Sequence, residues 1–394
     1  MLPLENIKIL DLSRLAAGNM VSHMFADFGA DVVKVEKPGK GDDLRNWKIN
    51  GISHWWAVYS RNKRSISIDL KKDEGLDLLK ELVKSADVFI ENFVPGTLEK
   101  WGIGPEQLNE LNKKLIILRI SGWGQTGIFK NAPGFGSLVE GMSGFAAMTG
   151  EEKQAPLLPP LALADMVAGL TGFGAILMAI LASKKNNIGG QVIDLSLFEP
   201  FFSILGPWAA SYKISGKVPE RIGNRSNVAA PRGIYKTKDN KYVSLSASMQ
   251  SMWEKLALTI GSSDLIKDPR FLTNSDRLNN QDDLDKPISK FIKKYNREEV
   301  LHIFSKEGIT VGPVLDISEI IEHPYIHDRE VLVDHYNKEY GNILMHQAFP
   351  RLSKTPGKVR HSAPLLGGDT DNVLKEIGIS AKQIKMLRKN KIIN

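Results

Sequence analysis

The chain has 394 residues, more than one hydrophobic core usually serves, so its length predicts two domains. It carries 52 Lys and Arg against 45 Asp and Glu, a net charge of +7. With no arginine-rich tract, this excess argues against nucleic acid and fits an anionic small molecule. The chain has no cysteine, which excludes disulfides, thiol catalysis and Cys-based zinc sites. Since the first residues also lack a signal-peptide pattern, we expect a cytoplasmic protein. We also expect no bound metal.

The N-terminal segment predicts a βαβ unit. Residues 7–12 (IKILDL) are expected to form a buried strand, residues 19–28 a helix, and residues 31–36 (DVVKVE) a second strand. This order within about thirty residues implies a parallel sheet. Because ligands of such sheets lie at the carboxyl ends of the strands, the turns at 13–18 and 36–41 are candidate binding loops.

The same alternation continues beyond this unit. Strands are expected at 65–70, 86–91 and 115–120, with a helix at 73–85. The turns after these strands are rich in Gly, Asn and Lys, which allow a close approach of backbone to ligand and neutralise phosphate. The N-terminal half is therefore predicted to have an α/β fold.

Residues 157–182 form the longest apolar stretch, and Asp165 is its only charge. We expect a helix that is buried on all sides, because prolines interrupt its start and no second such stretch exists to suggest a membrane protein. Asp165 has two readings. It is an N-cap of this helix, or it is a desolvated, reactive carboxylate that acts as a covalent nucleophile.

The C-terminal half is predicted to be mixed. We expect the following elements: a strand at 191–195, a polar linker at 216–232, a hairpin at 233–246, helices to about 308, a strand at 309–315, extended structure at 334–349 and a helix at 371–377.

Several stretches are distinctive in combination: ILDLSRLAAGNMVSHMFADFGADVVKVEKPGKGDDLR at 9–45, ADVFIENFVPGTLEKWGI at 86–103, LALADMVAGL at 161–170, GNRSNVAAPRGIY at 223–235 and APLLGGDTDNVLKEIG at 363–378. With them the chain resembles, essentially end to end, the family III CoA-transferases. This CaiB/BaiF group includes formyl-CoA transferase, the carnitine CoA-transferases and alpha-methylacyl-CoA racemase.

The resemblance implies an α/β fold in which a Rossmann-like large domain is joined by a smaller α+β domain, and in which two chains interlock as a ring-like homodimer. The expected limits are 1–215 for the N-terminal part of the large domain, 216–232 for the linker, 233–325 for the small domain and 326–394 for a segment that returns to the large domain.

The function implied is transfer of coenzyme A between an acyl-CoA thioester and a carboxylic acid, through anhydride and thioester intermediates on Asp165. Coenzyme A enters as an acyl-CoA substrate, and neither a metal nor a membrane is involved. The implied CoA-binding residues are Ala16, Ala17, Lys37, Leu70, Lys71, Asn92, Phe93, Val94 and Lys100. The implied substrate-pocket residues are Trp123, Phe135, Gly136 and Glu140.

Two alternatives stay open on the sequence alone. The racemase branch of the family uses a His thirty positions before the catalytic Asp, and this chain has Phe135 there, which cannot carry a proton. A racemase-like isomerase would therefore need another base, for which Glu140 is a conceivable substitute. The second alternative is an acyl-CoA binder without catalytic activity.

Overall fold

The computed structural model describes residues 1–394 and contains eleven strands and eighteen α-helices. The strands are β1 Lys8–Asp11, β2 Asp31–Glu36, β3 Arg64–Ser67, β4 Val88–Glu91, β5 Ile116–Ser121, β6 Val192–Ser196, β7 Arg232–Lys236, β8 Tyr242–Ser246, β9 Val311–Pro313, β10 Leu332–Asn337 and β11 Gly341–His346. The helices are α1 Leu15–Asp27, α2 His54–Tyr59, α3 Asp73–Val83, α4 Thr97–Lys100, α5 Pro105–Leu111, α6 Gly136–Met142, α7 Phe145–Met148, α8 Leu163–Asn186, α9 Phe198–Ser203, α10 Trp208–Ser215, α11 Gln250–Thr259, α12 Asn274–Asn279, α13 Gln281–Ile292, α14 Arg297–Lys306, α15 Ile317–Ile321, α16 Pro324–Asp328, α17 Thr370–Glu376 and α18 Ala381–Lys389.

Six strands form one parallel sheet in the order β3-β2-β1-β4-β5-β6. All four residues of β4 are buried, as are the first five of β5, as expected of a parallel sheet with both faces covered. The strand order reverses between β1 and β4, and in such sheets the ligand crevice opens at the carboxyl ends of the two strands beside that reversal. The parallel α/β sheet predicted from the sequence is confirmed.

Helix α1 begins at Leu15, four residues before the predicted start, so Ala16 and Ala17 lie in its first turn and not in the preceding loop. A long-range contact stabilises this start, since the backbone N–H of Leu15 donates to the carboxylate of Asp42 at 2.9 Å. The local sequence carries no sign of that contact.

Helix α8 packs directly against α1. A Cβ atom added to Gly169 would lie 2.6 Å from Cβ of Met20, and one added to Gly172 would lie 3.0 Å from Val21. Only glycine permits the first of these approaches, because real Cβ contacts are essentially never so short. The two helices are therefore held close, with the first turn of α8 beside the first turn of α1.

The expectation that this helix is buried on all sides is wrong for the single chain. Its buried residues are mostly small, whereas Leu170, Met178 and Leu181 on the remaining surface are 44%, 67% and 64% exposed. Helix α8 is also long and apolar enough to cross a membrane by length and composition. The N-cap residue is Ala162 and Asp165 lies in the first turn, so the N-cap reading of Asp165 is wrong too.

Two compact units make up the chain. The first comprises Met1–Ser143, Pro159–Gly206 and Tyr325–Asn394, and it holds the parallel sheet and the β10–β11 hairpin. Helices α17 and α18 pack in the same hydrophobic core as β1, and Ile393 pairs with Ile68 beside β3. Helix α18 is absent from the sequence prediction, which ended with a helix at 371–377.

The second unit comprises Gly144–Leu158 and Pro207–Pro324, with the antiparallel sheet β7-β8-β9 covered by helices. The predicted small domain, 233–325, lies within this unit except for its last residue, and the predicted linker at 216–232 is hydrogen-bonded to the stretch after α6. The guanidinium of Arg221 donates to backbone carbonyls of Ala147, Glu151 and Glu152, and the N–H of Gly223 donates to Gly150 at 2.9 Å.

Candidate active site

The loops that follow β1 and β4 are joined by one side chain. Oδ1 of Asn92 accepts from the backbone N–H of Arg14 at 2.8 Å, and Nδ2 of Asn92 donates to the Arg14 carbonyl at 2.7 Å. These loops flank the point where the strand order reverses. Asn92 therefore fixes the geometry of the crevice that the topology opens there.

A cavity of about 390 Å³ lies at the carboxyl ends of β1 to β4, and we call it the loop cavity. Three lysines line it, namely Lys37, Lys40 and Lys71. Leu70, Phe93 and Val94 supply apolar wall. A cavity with several ammonium groups beside an apolar and aromatic wall fits a phosphorylated ligand with a planar base.

The aromatic wall of the loop cavity is held from behind. The carboxylate of Glu91 accepts from the N–H of Phe93 at 2.7 Å and from the guanidinium of Arg119 at 2.8 Å. Burial raises the pKa of Glu91, while Arg119 and the Phe93 N–H act in the opposite direction. The ring of Phe93 also packs edge-on against Trp101, with 5.2 Å between centroids. Phe93 is therefore a fixed surface, suited to stacking.

A second cavity of about 460 Å³ contains Asp165, and we call it the Asp165 cavity. Ala17, Asn92 and Phe135 are among the residues that line it. It shares four lining residues with the loop cavity: Arg14, Asp43, Phe93 and Val94. The two cavities therefore adjoin, so that a single elongated ligand can reach from the lysines to Asp165.

The carboxylate of Asp165 is strongly perturbed. Burial, and then the negative charge of Glu140, raise its pKa to about 6. The backbone N–H groups of Asp165 itself and of Ala17 oppose this rise, because they stabilise the charged form. At neutral pH the group is mostly ionised yet poorly solvated, and such a carboxylate is a competent nucleophile.

Helix α6 packs behind this carboxylate. A Cβ atom on Gly136 would collide with Oδ2 of Asp165, so the glycine makes room for the charged oxygen. One turn further along, Glu140 is only 3% exposed, and its Oε1 accepts from the N–H of Ala164 at 3.1 Å. Glu140 does not line either cavity. Its carboxylate acts on Asp165 through charge, from the protein side.

Most of the residues implied by the resemblance converge on the two cavities. Those that line one or both are Ala17, Lys37, Leu70, Lys71, Asn92, Phe93, Val94, Phe135 and Asp165. Lys100 does not, because it is exposed on α4 outside both cavities. Ala16 is buried in the first turn of α1. The indole N–H of Trp123 donates to the carbonyl of Pro133 at 3.0 Å, which places Trp123 behind the cavity loop and not on its wall.

Three cations that the sequence reasoning missed also line the cavities: Arg14, Lys40 and Lys130. Arg14 and Lys40 lie in turns that had been singled out, so their position after a strand was a usable signal. Lys130 lies in the loop between β5 and α6, where no pattern pointed to it.

A family model for CoA-transferase family III matches residues 4–370. The chain belongs to this family. It is 35% identical to succinyl-CoA–D-citramalate CoA-transferase of Chloroflexus aurantiacus over 396 residues, covering 99% of this chain and 98% of the relative. It is 32% identical to human succinyl-CoA:glutarate CoA-transferase over 378 residues, covering 95% and 86%. A CaiB/BaiF family protein from Brucella suis superposes with a TM-score of 0.84 at 32% identity, over 95% of this chain and 99% of that chain.

This family III protein is a CoA-transferase that takes coenzyme A as an acyl-CoA substrate. The isomerase and binder alternatives have no support from these relatives, which are named as transferases. The structure adds a reason against the isomerase. Glu140 accepts a hydrogen bond from the N–H of Ala164 and does not line the Asp165 cavity, and Phe135, which does line it, cannot act as an acid or a base. No group of three His, Asp or Glu side chains is placed to hold a metal ion.

Proposed function

We propose that this CoA-transferase works through covalent intermediates on Asp165. The observation that carries the proposal is the position of this carboxylate. It is desolvated, it is next to the Ala17 N–H, and it lines a cavity that adjoins the lysine-lined loop cavity. A coenzyme A bound with its phosphates at the lysines has its sulfur end directed toward Asp165.

The exchange proceeds in four balanced steps. The carboxylate of Asp165 attacks the thioester carbonyl of the donor, the C–S bond breaks, and CoA thiolate leaves an acyl-aspartyl anhydride. The thiolate then attacks the Asp165 carbonyl, which releases the donor acid and leaves an aspartyl-CoA thioester. The acceptor carboxylate attacks that thioester, giving a new anhydride and CoA thiolate. Finally the thiolate attacks the acceptor carbonyl, and the new acyl-CoA and free Asp165 result.

Each attack places negative charge on a carbonyl oxygen, which belongs to the substrate in the first and last steps and to Asp165 itself in the two steps between. The N–H of Ala17, in the first turn of α1, is a hydrogen-bond donor to the Asp165 carboxylate. A preorganised backbone donor, together with the positive ends of two helices, stabilises such charge without reorganising. The same features keep Asp165 ionised at neutral pH despite its burial.

For substrates, we propose succinyl-CoA as donor and a short dicarboxylic acid as acceptor. Support comes from the relatives, whose names pair succinyl-CoA with citramalate, malate or glutarate. Arg14 and Lys130 line the Asp165 cavity and are the cations available for the distal carboxylate of such an acid.

The decisive experiment is intact-mass spectrometry after incubation with succinyl-CoA and trapping with hydroxylamine or borohydride. We expect a CoA or succinyl adduct that peptide mapping assigns to Asp165. The Asp165→Ala variant should show no adduct and no transfer. The matched control is Asp73→Ala, which removes another first-turn aspartate, exposed on α3. Transfer activity that persists in Asp165→Ala contradicts the mechanism.

The exposed apolar face of α8 supports a second proposal, that two chains form the interlocked homodimer of the family. Leu170, Met178 and Leu181 are large apolar side chains on one helix of a single chain, and soluble proteins rarely leave such a face uncovered. Against a membrane span stands the opposite side of α8, which packs on α1 and on the sheet.

Light scattering behind a sizing column tests this assembly. We expect twice the chain mass for the native protein and a shift toward the single-chain mass for Met178→Glu. Lys80→Glu on the exposed side of α3 serves as a control. A native protein that elutes as a single chain, or that partitions into membranes, contradicts the dimer.

A further inference from the structure

Leu15 has an unusual backbone conformation, with φ of +60° at the first residue of α1. This is the left-handed region, where the Cβ atom of an L-residue is crowded by the following carbonyl. A leucine stays there only when its surroundings hold it. Leu15 also lines the Asp165 cavity, so the strained residue is part of the site.

The side chains of Asp42 and Asn19 form hydrogen bonds with both polar groups of the Leu15 backbone. Its N–H donates to Oδ1 of Asp42 at 2.9 Å, and its carbonyl accepts from Nδ2 of Asn19 at 2.6 Å. The second hydrogen of that amide goes to Oδ2 of Asp42 at 2.7 Å, which joins the two holders. Asn19 and Asp42 therefore close a ring of hydrogen bonds around the strained residue.

Buried lysines fix this ring from behind. Nζ of Lys63 donates to Oδ1 of Asn19 at 2.9 Å, and Nζ of Lys34 lies 3.1 Å from Asp42. Lys34 also lies 3.1 Å from Asp11, and all of these groups are buried. A hydrogen-bonded cluster of buried polar and charged groups has little freedom, because any movement would leave a buried group without a partner.

Leu15, the residue that the ring encloses, comes two residues before Ala17, whose N–H faces the Asp165 carboxylate. Leu15 is the first residue of α1. A change of the φ angle of Leu15 would therefore turn the first N–H groups of the helix away from the cavity. We propose that Asn19 and Asp42 are positioning residues, which hold Leu15 left-handed and so aim the Ala17 N–H at the Asp165 carboxylate. This inference rests on the proposed covalent role of Asp165.

Asp42 also belongs to the turn that lines the loop cavity, together with Lys37 and Lys40. Its own N–H donates to the buried Glu36 carboxylate at 2.8 Å, which anchors the turn to the end of β2. Asp42 thus connects the turn that lines the loop cavity with the start of α1, where the Ala17 N–H donates to Asp165.

The test is the Asn19→Ala variant. We expect kcat to fall about 10- to 100-fold, below the full loss of an oxyanion donor, while KM for acyl-CoA changes little. The acid limb of kcat/KM should move to higher pH, because the Ala17 N–H no longer favours ionised Asp165, with Glu140 as the charged neighbour in both proteins. A purely structural role of Asn19 would leave that limb in place.

The matched control is Asn112→Ala. The amide of Asn112 also donates to two backbone carbonyls, those of Val83 and Ala86 at 3.0 and 2.7 Å, but it precedes β5 and so lies at the amino ends of the strands, away from the cavities. We expect this variant to lose stability without a change in the acid limb.

A rescue sharpens the test. Adding Leu15→Gly to Asn19→Ala supplies a residue that adopts positive φ at no steric cost, so part of the lost kcat should return. If Asn19→Ala does not fold, Asn19→Ser is used, which keeps a neutral oxygen that can accept from Lys63, removes the amide donor to Leu15 and adds no charge. Wild-type kcat and an unmoved acid limb in whichever variant folds would overturn the inference, as would a loss that equals the Asn112→Ala control. Failure of the proposed function is separate, because it appears as the absence of an Asp165 adduct in the wild-type protein.

Discussion

Replacing Glu140 with glutamine isolates the electrostatic control of the nucleophile. Glu140 is buried behind Asp165, and its Oε1 accepts from the N–H of Ala164 at 3.1 Å. Glutamine keeps an oxygen for that hydrogen bond and has nearly the same shape. The substitution therefore removes the negative charge that faces Asp165 and little else.

The size of the effect follows from the causes of the Asp165 shift. Burial is the larger cause and the charge of Glu140 the second, and together they raise the pKa from 3.8 to about 6. Without the like charge, the pKa of Asp165 should fall by about half to one pH unit, worth about 1 kcal/mol. Since only the ionised carboxylate attacks, the ionised fraction at pH 5 should rise about three- to fivefold.

The assay is kcat/KM for CoA transfer between pH 4.5 and 8. We expect the acid limb of Glu140→Gln to lie at lower pH than that of the wild-type protein, with rates at pH 7.5 within about twofold of each other. The control is Glu81→Gln, which removes an exposed carboxylate on α3 that pairs with Lys84. An acid limb that does not move in Glu140→Gln would show that the titrating group is not Asp165 under the influence of Glu140.

Three further predictions follow from the same geometry. Gly136→Ala should lower kcat about 100-fold because its Cβ displaces the Asp165 carboxylate, whereas Gly141→Ala, with open space around its Cβ on the same helix, should keep activity; equal kcat values would contradict the contact. Lys37→Ala should raise KM for acyl-CoA about threefold to fivefold, less so at high salt, while Lys100→Ala outside both cavities should not; an equal rise of KM in Lys100→Ala would restore the sequence prediction, which named both lysines. Asp165→Asn should raise the free energy of unfolding in urea at pH 7 by up to about 3 kcal/mol, because the raised pKa of Asp165 makes its ionised form destabilising above about pH 6. This gain in stability should vanish near pH 4, where Asp165 is protonated, and a difference that does not depend on pH would refute the prediction.

The parallel sheet was predictable because its strands are short apolar runs separated by helices and turn residues. Periodicity of this kind indicates local structure and which side of a strand is buried, and here it located all six strands of the sheet, whose carboxyl ends lead into the residues that line the cavities. Asp165 was conspicuous as the single charge in a long apolar stretch, but that pattern alone left an N-cap and a nucleophile as alternatives, and the family resemblance pointed to the nucleophile that we propose.

Other features depend on contacts between distant parts of the chain. Helix α1 starts at Leu15, whose N–H donates to Asp42, a residue 27 positions away in the sequence. Lys100 and Lys40 look equally suitable as phosphate ligands in the sequence, yet only Lys40 lies on a cavity. The exposure of Met178 shows the same limit, since an apolar residue does not indicate which chain covers it.

The wall that the two cavities share, which includes Phe93 and Arg14, has a consequence for the leaving group. A coenzyme A whose nucleotide end stays bound in the loop cavity works as a tether after its C–S bond breaks. Its sulfur then returns from a fixed distance as an intramolecular reactant, with an effective concentration far above that of free coenzyme A. Labelled coenzyme A added during turnover should therefore enter the product slowly, even though the thioester is broken twice in each cycle.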